Sequence, residues 1–217
     1  MNGAIHWGYN ADFRVASESV SAGDTSAVVF EYDADGLLTC ASPTTCPSGA
    51  SALRISNDPL LPRATGSTSG LVTDALTYNQ YGELASYVVS TSGSGTELFR
   101  EVLDTATAPR DNLGRIVERV ETNGAAPVTY GYEYDLQGRL SDVYEDGTLA
   151  ESYTYDANGN RLNLTTPEGT VTGTYDDQDR LLTYGEYAYT YTANGELLTK
   201  TNTVSGDITA YEYDVFG

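Results

Sequence analysis

A short phrase returns along the whole chain and leaves it few folds to choose from. Tyr134-Asp135-Leu136-Gln137-Gly138-Arg139-Leu140 is answered by Tyr155-Asp156-Ala157-Asn158-Gly159-Asn160-Arg161-Leu162, which reads as the same phrase with one extra residue before its Arg-Leu. The phrase starts at Tyr9, Tyr32, Tyr78, Arg110, Tyr134, Tyr155, Tyr175, Tyr191 and Tyr213, so eight of nine starts are Tyr. Asp or Asn follows in eight, among them Asp33, Asp111, Asp135, Asp156, Asp176 and Asp214. Gly stands four residues after the start in seven: Gly36, Gly82, Gly114, Gly138, Gly159, Gly195 and Gly217. Phe13, Asp179 and Thr192 depart from the rule. The longest interval, 46 residues, reads as two periods with one decayed unit. Self-similarity at this period marks a stacked repeat architecture.

One unit has a plain physical reading. Tyr130, Tyr132 and Tyr134 alternate with Gly131 and Glu133, which puts three rings on one face of a strand. Asp135 to Gly138 is a turn, because Asp bonds amides just ahead of it and Gly takes positive φ without steric cost. Arg139 and Leu140 open a return strand, Asp146-Gly147 is a tight-turn signal, and Thr148 to Tyr155 leads into the next copy. Glu97 to Asp104 has helical propensity but also alternates, and the surrounding period of two makes it a strand. Asn123-Gly124, Asn194-Gly195 and Gly206-Asp207 read as further hairpin turns, as does Gly66 to Gly70. The expected fold is all-β: a solenoid of antiparallel hairpin repeats with Tyr-rich faces, a single array over 1–217 with a degenerate, loop-rich unit at 39–74.

These residues closely resemble the YD-repeat (RHS-repeat) family over essentially the whole chain. Tyr9-Asn10-Ala11-Asp12-Phe13-Arg14-Val15 is similar to that family's variant with Phe in place of Gly. The family includes bacterial RHS polymorphic toxins, the shell components of insecticidal toxin complexes, and the animal teneurins. The resemblance implies a long β-sheet spiralling into a hollow shell. In bacterial members such a shell encloses a toxic C-terminal polypeptide; in teneurins it is an extracellular scaffold. The implied partners are the remainder of a parent shell and an enclosed toxin. The implied location is secreted or at the surface of a bacterium.

Composition narrows the function classes. The chain has 217 residues, with 18 Tyr against 4 Phe and 1 Trp. Tyr joins an apolar ring to a polar tip and suits a wall with a wet side. With 11 basic and 31 acidic residues the net charge is −20, which argues against nucleic acid and anionic membranes. The acids lie along the whole chain, so they read as solubility rather than as an acidic lumen for a basic cargo. No run approaches the roughly 20 apolar residues that span a bilayer, and the first residues carry no secretion signal. The sequence stops at Gly217, inside a repeat, which reads as an excised piece of a longer protein whose open edge strands invite self-association.

Chemistry has thin support. Cys40 and Cys46 flank a Pro/Ser/Thr/Gly-rich loop at Ser42 to Ser51; a disulfide is the reading for an exported protein and two free thiols for a retained one. Two Cys and the lone His6 fall short of a zinc set. Asp156 to Asn160 resembles part of a calcium loop, but the twelfth position is Pro167 where a bidentate Glu is needed. No phosphate-binding loop occurs, and the aspartates recur at turn positions where a catalytic acid should be singular. Asp58-Pro59-Leu60-Leu61 lacks the Gly of the self-cleavage motif that the resemblance brings to mind. No cofactor, metal or catalytic residue is expected. The leading reading is a structural wall module; the alternative is an adhesion or sugar-binding scaffold, whose mark would be a pocket that departs from the repeat pattern.

Overall fold

The computed structural model describes residues 4–20, 27–43, 46, 52–104 and 110–214. The chain divides into two compact units, Met1–Val128 and Thr129–Gly217. The described residues contain strands, turns and bends and no helix.

The first unit holds β1 (Ile5–Tyr9), β2 (Val15–Val20), β3 (Ala27–Tyr32), β4 (Leu38–Ser42), β5 (Leu53–Asn57), β6 (Ala64–Ser69), β7 (Val72–Tyr78), β8 (Leu84–Thr91), β9 (Glu97–Val102) and β10 (Glu118–Thr122). Each pairs antiparallel with the next. The second unit holds β11 (Val128–Tyr134), β12 (Leu140–Glu145), β13 (Thr148–Tyr155), β14 (Arg161–Thr166), β15 (Gly169–Tyr175), β16 (Leu181–Tyr184), β17 (Tyr187–Tyr191), β18 (Leu197–Asn202) and β19 (Ile208–Ala210), again paired in sequence order. The fold is therefore all-β and built from consecutive antiparallel hairpins, as the period-two patterning requires.

The repeated phrase builds one local geometry. The register slips at the first residue of the phrase, between Glu133 and Tyr134 for example, and Tyr134 then faces Leu140. The amide of Asp135 donates to the Arg139 carbonyl at 2.8 Å, and Gly138 donates back to Asp135 at 2.9 Å. Gly138 has φ 85°. This is the three-residue hairpin loop closed by a left-handed residue and a bulge. Asp146 (φ 47°) and Gly147 (φ 78°) both take positive φ, as the tight two-residue turn between β12 and β13 demands.

Burial is shallow. Among the described residues the buried apolar ones are Cys40, Ala52 and Leu103, and most strand residues are half-buried. Surface is shared between neighbouring hairpins rather than gathered into a centre, as in other stacked repeats. Cys40 on β4 is joined to Cys46 by a disulfide. Most of the loop expected at Ser42 to Ser51, and the turn position of Gly217, lie outside the described residues.

Two readings are corrected. The copy at Tyr155 has no extra residue: Asp156 closes its turn on Asn160, and Tyr155 faces Arg161, so Asn160 stands in the Arg place and Arg161 in the Leu place. Gly66 to Ser69 is not a turn but the body of β6, with Gly70 alone of that stretch in the turn. Gly66 faces Ser56 on one side and Ala75 on the other, and a Cβ there would lie 2.5 Å from the Asp74 carbonyl oxygen. It is Gly because two backbones approach closely. The unit within the 46-residue interval, degenerate in sequence, keeps the geometry of the others. The register slips between Ser56 and Asn57, and Asp58 closes a turn, one residue longer, on the Arg63 carbonyl.

Backbone strain in the turns gives a direct test. Phe13 (φ 61°) and Asp179 (φ 60°) hold the left-handed place that Gly holds elsewhere, and Phe13 is 89% exposed. Phe13→Gly should stabilise the protein by up to about 1 kcal/mol, relief of strain outweighing the entropy of Gly. Gly159→Ala, where a Cβ meets open space but φ is 96°, should cost about 1–2 kcal/mol. Denaturant unfolding of the two variants checks both signs.

Candidate functional site

The phrase is legible as a set of contacts between one turn and the next. In the second unit the Asp135 carboxylate Oδ1 accepts from the amides of Gln137 and Arg139, both at 2.9 Å, while Oδ2 accepts from Arg139 Nε at 2.7 Å. The guanidinium then crosses to the following turn. Its Nη1 donates to the Asp156 carbonyl at 2.9 Å, and its carbon lies 4.6 Å from the centre of the Tyr155 ring. Tyr155 closes the circuit, its hydroxyl donating to the Leu140 carbonyl at 2.7 Å. One Arg and one Tyr thus tie two hairpins together, with a cation–π contact worth roughly 0.5–1 kcal/mol at such exposure.

This hydroxyl-to-carbonyl bond recurs across sequence separations of 10 to 17 residues. Tyr32 donates to Val15, Tyr78 to Ala64, Tyr175 to Arg161, Tyr191 to Leu181 and Tyr213 to Leu197, at 2.7–3.1 Å. The acceptor is each time the residue that opens the preceding return strand. Arg stacking recurs with it: Arg14 over Tyr32, Arg63 over Tyr78 and Arg180 over Tyr191. Tyr9 ends β1 and is 60% exposed; Tyr134 ends β11 and is half-buried; Tyr213 and Asp214 follow β19. Gly36, Gly82, Gly114, Gly159 and Gly195 all have positive φ.

Where the residue changes, the role persists. Asn57 stands in the Tyr place and its amide donates to the Leu38 carbonyl at 3.3 Å and to Asp33 Oδ2 at 3.2 Å. It supplies the donor that Leu37, in the Arg place, lacks. Arg110 also stands in the Tyr place, and its Nη2 donates to the Leu84 carbonyl at 3.0 Å. In that junction Glu83 occupies the Arg place and pairs with Arg110 at 3.5 Å, while Asn79 replaces Asp and donates to Glu83 Oε2 at 2.8 Å. Three changes reverse the charges of the contact together. Asn57 escaped sequence reasoning because an amide shares with Tyr only a hydrogen-bond donor, not an apolar ring. The Asn-Asp pair at 57 and 58 was the available signal.

The second unit also groups Glu151, Tyr153, Arg161 and Tyr184. Tyr153 donates its hydroxyl to Glu151, and Arg161 donates to the Tyr184 hydroxyl at 2.7 Å with its carbon 5.7 Å from the Tyr153 ring centre. Burial, with the bond to Glu151, pushes the Tyr153 phenol up to about 12. It stays protonated and acts as a donor. At the calcium-like segment, amide nitrogens of Asn158 and Asn160 donate to Asp179 Oδ1, and Asn160 also to Asp156 Oδ2. Amides hold the oxygens that a cation would need. Among the described residues no three His, Cys, Asp or Glu side chains group to hold a metal.

The turn carboxyls are held below their ordinary range. The amide of Leu37 does this for Asp33, that of Leu60 for Asp58 and that of Arg115 for Asp111. The Asn160 amide group does so for Asp156 and the Arg180 guanidinium for Asp176. Desolvation pulls Asp135 upward but is outweighed by bonds from the Arg139 amide and guanidinium. A depressed carboxyl stabilises the fold above its unfolded value near 3.9, and that stability is lost as pH falls through the folded value. Unfolding free energy should therefore be level from pH 7 to about 5 and fall below about 4. Relief of the −20 charge works the other way, so the measurement belongs in about 0.15 M salt, where the Debye length is short. Stability that rises on acidification would contradict this assignment.

The charge-reversed junction gives a second test. Glu83→Arg alone sets two guanidinium groups together and should destabilise. Asn79→Asp, Glu83→Arg and Arg110→Tyr together restore the ordinary contact and should recover most of the loss. A coupling energy above about 1 kcal/mol in the mutant cycle is expected, and additive effects would refute the reading.

Over residues 1–217 the chain matches the family described as Teneurin YD-shell. It is 32% identical over 142 residues to Teneurin-3 of Danio rerio, covering 56% of this chain and 5% of that one. It is 36% identical over 106 residues to Teneurin-3 of Mus musculus, covering 46% of this chain and 4% of that one. Among solved structures it is similar to the Photorhabdus luminescens Tc holotoxin pore, with a TM-score of 0.69 at 14% identity over 91% of this chain and 12% of that one. The last likeness is one of fold. The chain spans about a twentieth of the length of these teneurin relatives.

Proposed function

This chain belongs to the teneurin YD-shell family, and from that membership and its own contacts we propose that it is a length of wall in a larger β-shell. The observation that carries the reading is the recurrent bond from the donor that opens one turn to the carbonyl that opens the preceding return strand. It is made by Tyr32, Asn57, Tyr78 and Arg110 in the first unit and by Tyr155, Tyr175, Tyr191 and Tyr213 in the second. Such a bond serves to hold hairpins in register. It offers no singular group for catalysis, and the motif aspartates sit where turns need them.

Encapsulation is the finer part of the proposal. A wall of this kind, continued by further repeats, encloses a C-terminal polypeptide of the parent protein and shields it until release. The partners are then the other parts of the shell and the enclosed chain. A role outside the cell, secreted or at its surface, is favoured by the teneurin relatives and by the Cys40–Cys46 disulfide, a bond that persists in oxidising compartments.

Limited proteolysis of the parent protein tests enclosure. The C-terminal polypeptide should survive in the folded parent and be digested once the shell is unfolded. Digestion at the rate of the free polypeptide would refute enclosure and leave an extracellular scaffold as the function.

A further inference from the structure

Asn stands directly before Gly at three places among the described residues: Asn123-Gly124, Asn158-Gly159 and Asn194-Gly195. Local sequence treats the three alike, as turn signals. The fold does not. The two later pairs lie in motif turns, where the Gly159 amide donates to the Asp156 carbonyl at 3.3 Å and the Gly195 amide to the Thr192 carbonyl at 3.0 Å. The Asn158 side chain is held as well, its Nδ2 donating to Asp179 Oδ1 at 2.9 Å.

Asn123-Gly124 is built differently. It opens the connection of residues 123–127 between β10 and β11, all of them exposed, and bends rather than a hydrogen-bonded turn run from 123 to 126. Gly124 is left-handed (φ 64°), yet Asn123 keeps a negative φ, unlike Asp146 (φ 47°) in the tight turn at Asp146-Gly147. Among the described residues nothing accepts a hydrogen bond from the Gly124 amide, and nothing holds the Asn123 side chain. A Cβ built on Gly124 would meet open space, so the amide is not crowded either.

That combination has a chemical consequence. An amide nitrogen that is free to lose its proton to hydroxide is a nucleophile, and the Asn carbonyl carbon Cγ one residue back is within its reach. Gly lets the nitrogen approach because it has no side chain in the way. We propose that Asn123 is a site of spontaneous deamidation, set apart from Asn158 and Asn194 by the fold. The Gly124 nitrogen forms a bond to Asn123 Cγ, the Cγ–Nδ2 bond breaks, and Nδ2 leaves as ammonia with a proton from water. The product is a cyclic imide. Water then opens it. Attack at Cγ returns the ordinary backbone with Asp at 123. Attack at the Asn123 main-chain carbonyl leaves that carbon as the carboxylate and routes the chain through Cγ, which is isoaspartate. In both cases the Gly124 nitrogen recovers its proton, and the sum is one water consumed and one ammonia released, with no oxidant or enzyme. Each event adds a carboxylate to a chain already at −20. Isoaspartate also lengthens the main chain between β10 and β11 by one methylene.

Mass spectrometry of proteolytic peptides from the whole chain, aged natively and in urea at neutral and mildly alkaline pH, tests the assignment. In the native chain Asn123 should convert about two- to tenfold faster than Asn194, whose glycine amide must first give up a hydrogen bond. Asn158, held by a second bond, should be slowest. The Asn123 rate should rise with hydroxide. Unfolding should leave it unchanged and bring the other two up to it. A native Asn123 rate no faster than either of the others, one indifferent to hydroxide, or one that climbs on unfolding as theirs do would overturn the proposal.

Discussion

The structure depends on the bond from the motif tyrosine hydroxyl to a backbone carbonyl of the preceding hairpin. A hydrogen bond of this kind is worth about 1 kcal/mol net, and leaving a partly buried carbonyl without it costs about 1–3 kcal/mol. Those magnitudes matter because burial is so shallow: Cys40, Ala52 and Leu103 are the buried apolar residues among those described. Stability must come from many modest contacts between neighbours. The ring supplies apolar cover for the Arg beside it, and the hydroxyl fixes its angle. Tyr does both, which accounts for Tyr at eight of the nine motif starts.

What repeats along the chain is a role rather than a residue. The donor is Tyr at six described junctions, Asn57 at one and Arg110 at another. Charge follows the same logic. Asp at the second place goes with Arg at Arg115, Arg139 and Arg180. Where Glu83 and Glu196 stand in the Arg place, the second place is the neutral Asn79 or Thr192. In none of the described turns do carboxylates fill both the second place and the Arg place. The left-handed position is likewise filled by Phe13 and Asp179 at a conformational cost rather than abandoned.

The period-two strands, the Asp146-Gly147 turn and the family resemblance were legible in the sequence because each rests on local chemistry. The strand at Glu97–Val102 was legible against its own helical propensity, since its neighbours set the period. Three features were not. Gly66 between Ser and Thr looks like a turn residue, yet its reason lies in Asp74 of a neighbouring strand. Asn160 and Arg161 look like an insertion, because only pairing across the hairpin shows which of them faces Tyr155. The charge-reversed junction was hidden because Arg110 reads as a decayed Tyr; its partners Glu83 and Asn79 lie a whole repeat away in sequence.

The most direct measurement is the unfolding free energy of the full chain with Tyr155, Tyr175 and Tyr191 changed one at a time to Phe, against Tyr187→Phe. Each substitution keeps the ring and removes only the hydroxyl. Tyr187 lies over Lys200 and stands outside the motif, so its ring contact survives the change. The three motif variants should each lose about 1 kcal/mol and the control close to none. Motif variants as stable as the control would mean that the hydroxyl-to-carbonyl bond does not hold the hairpins together.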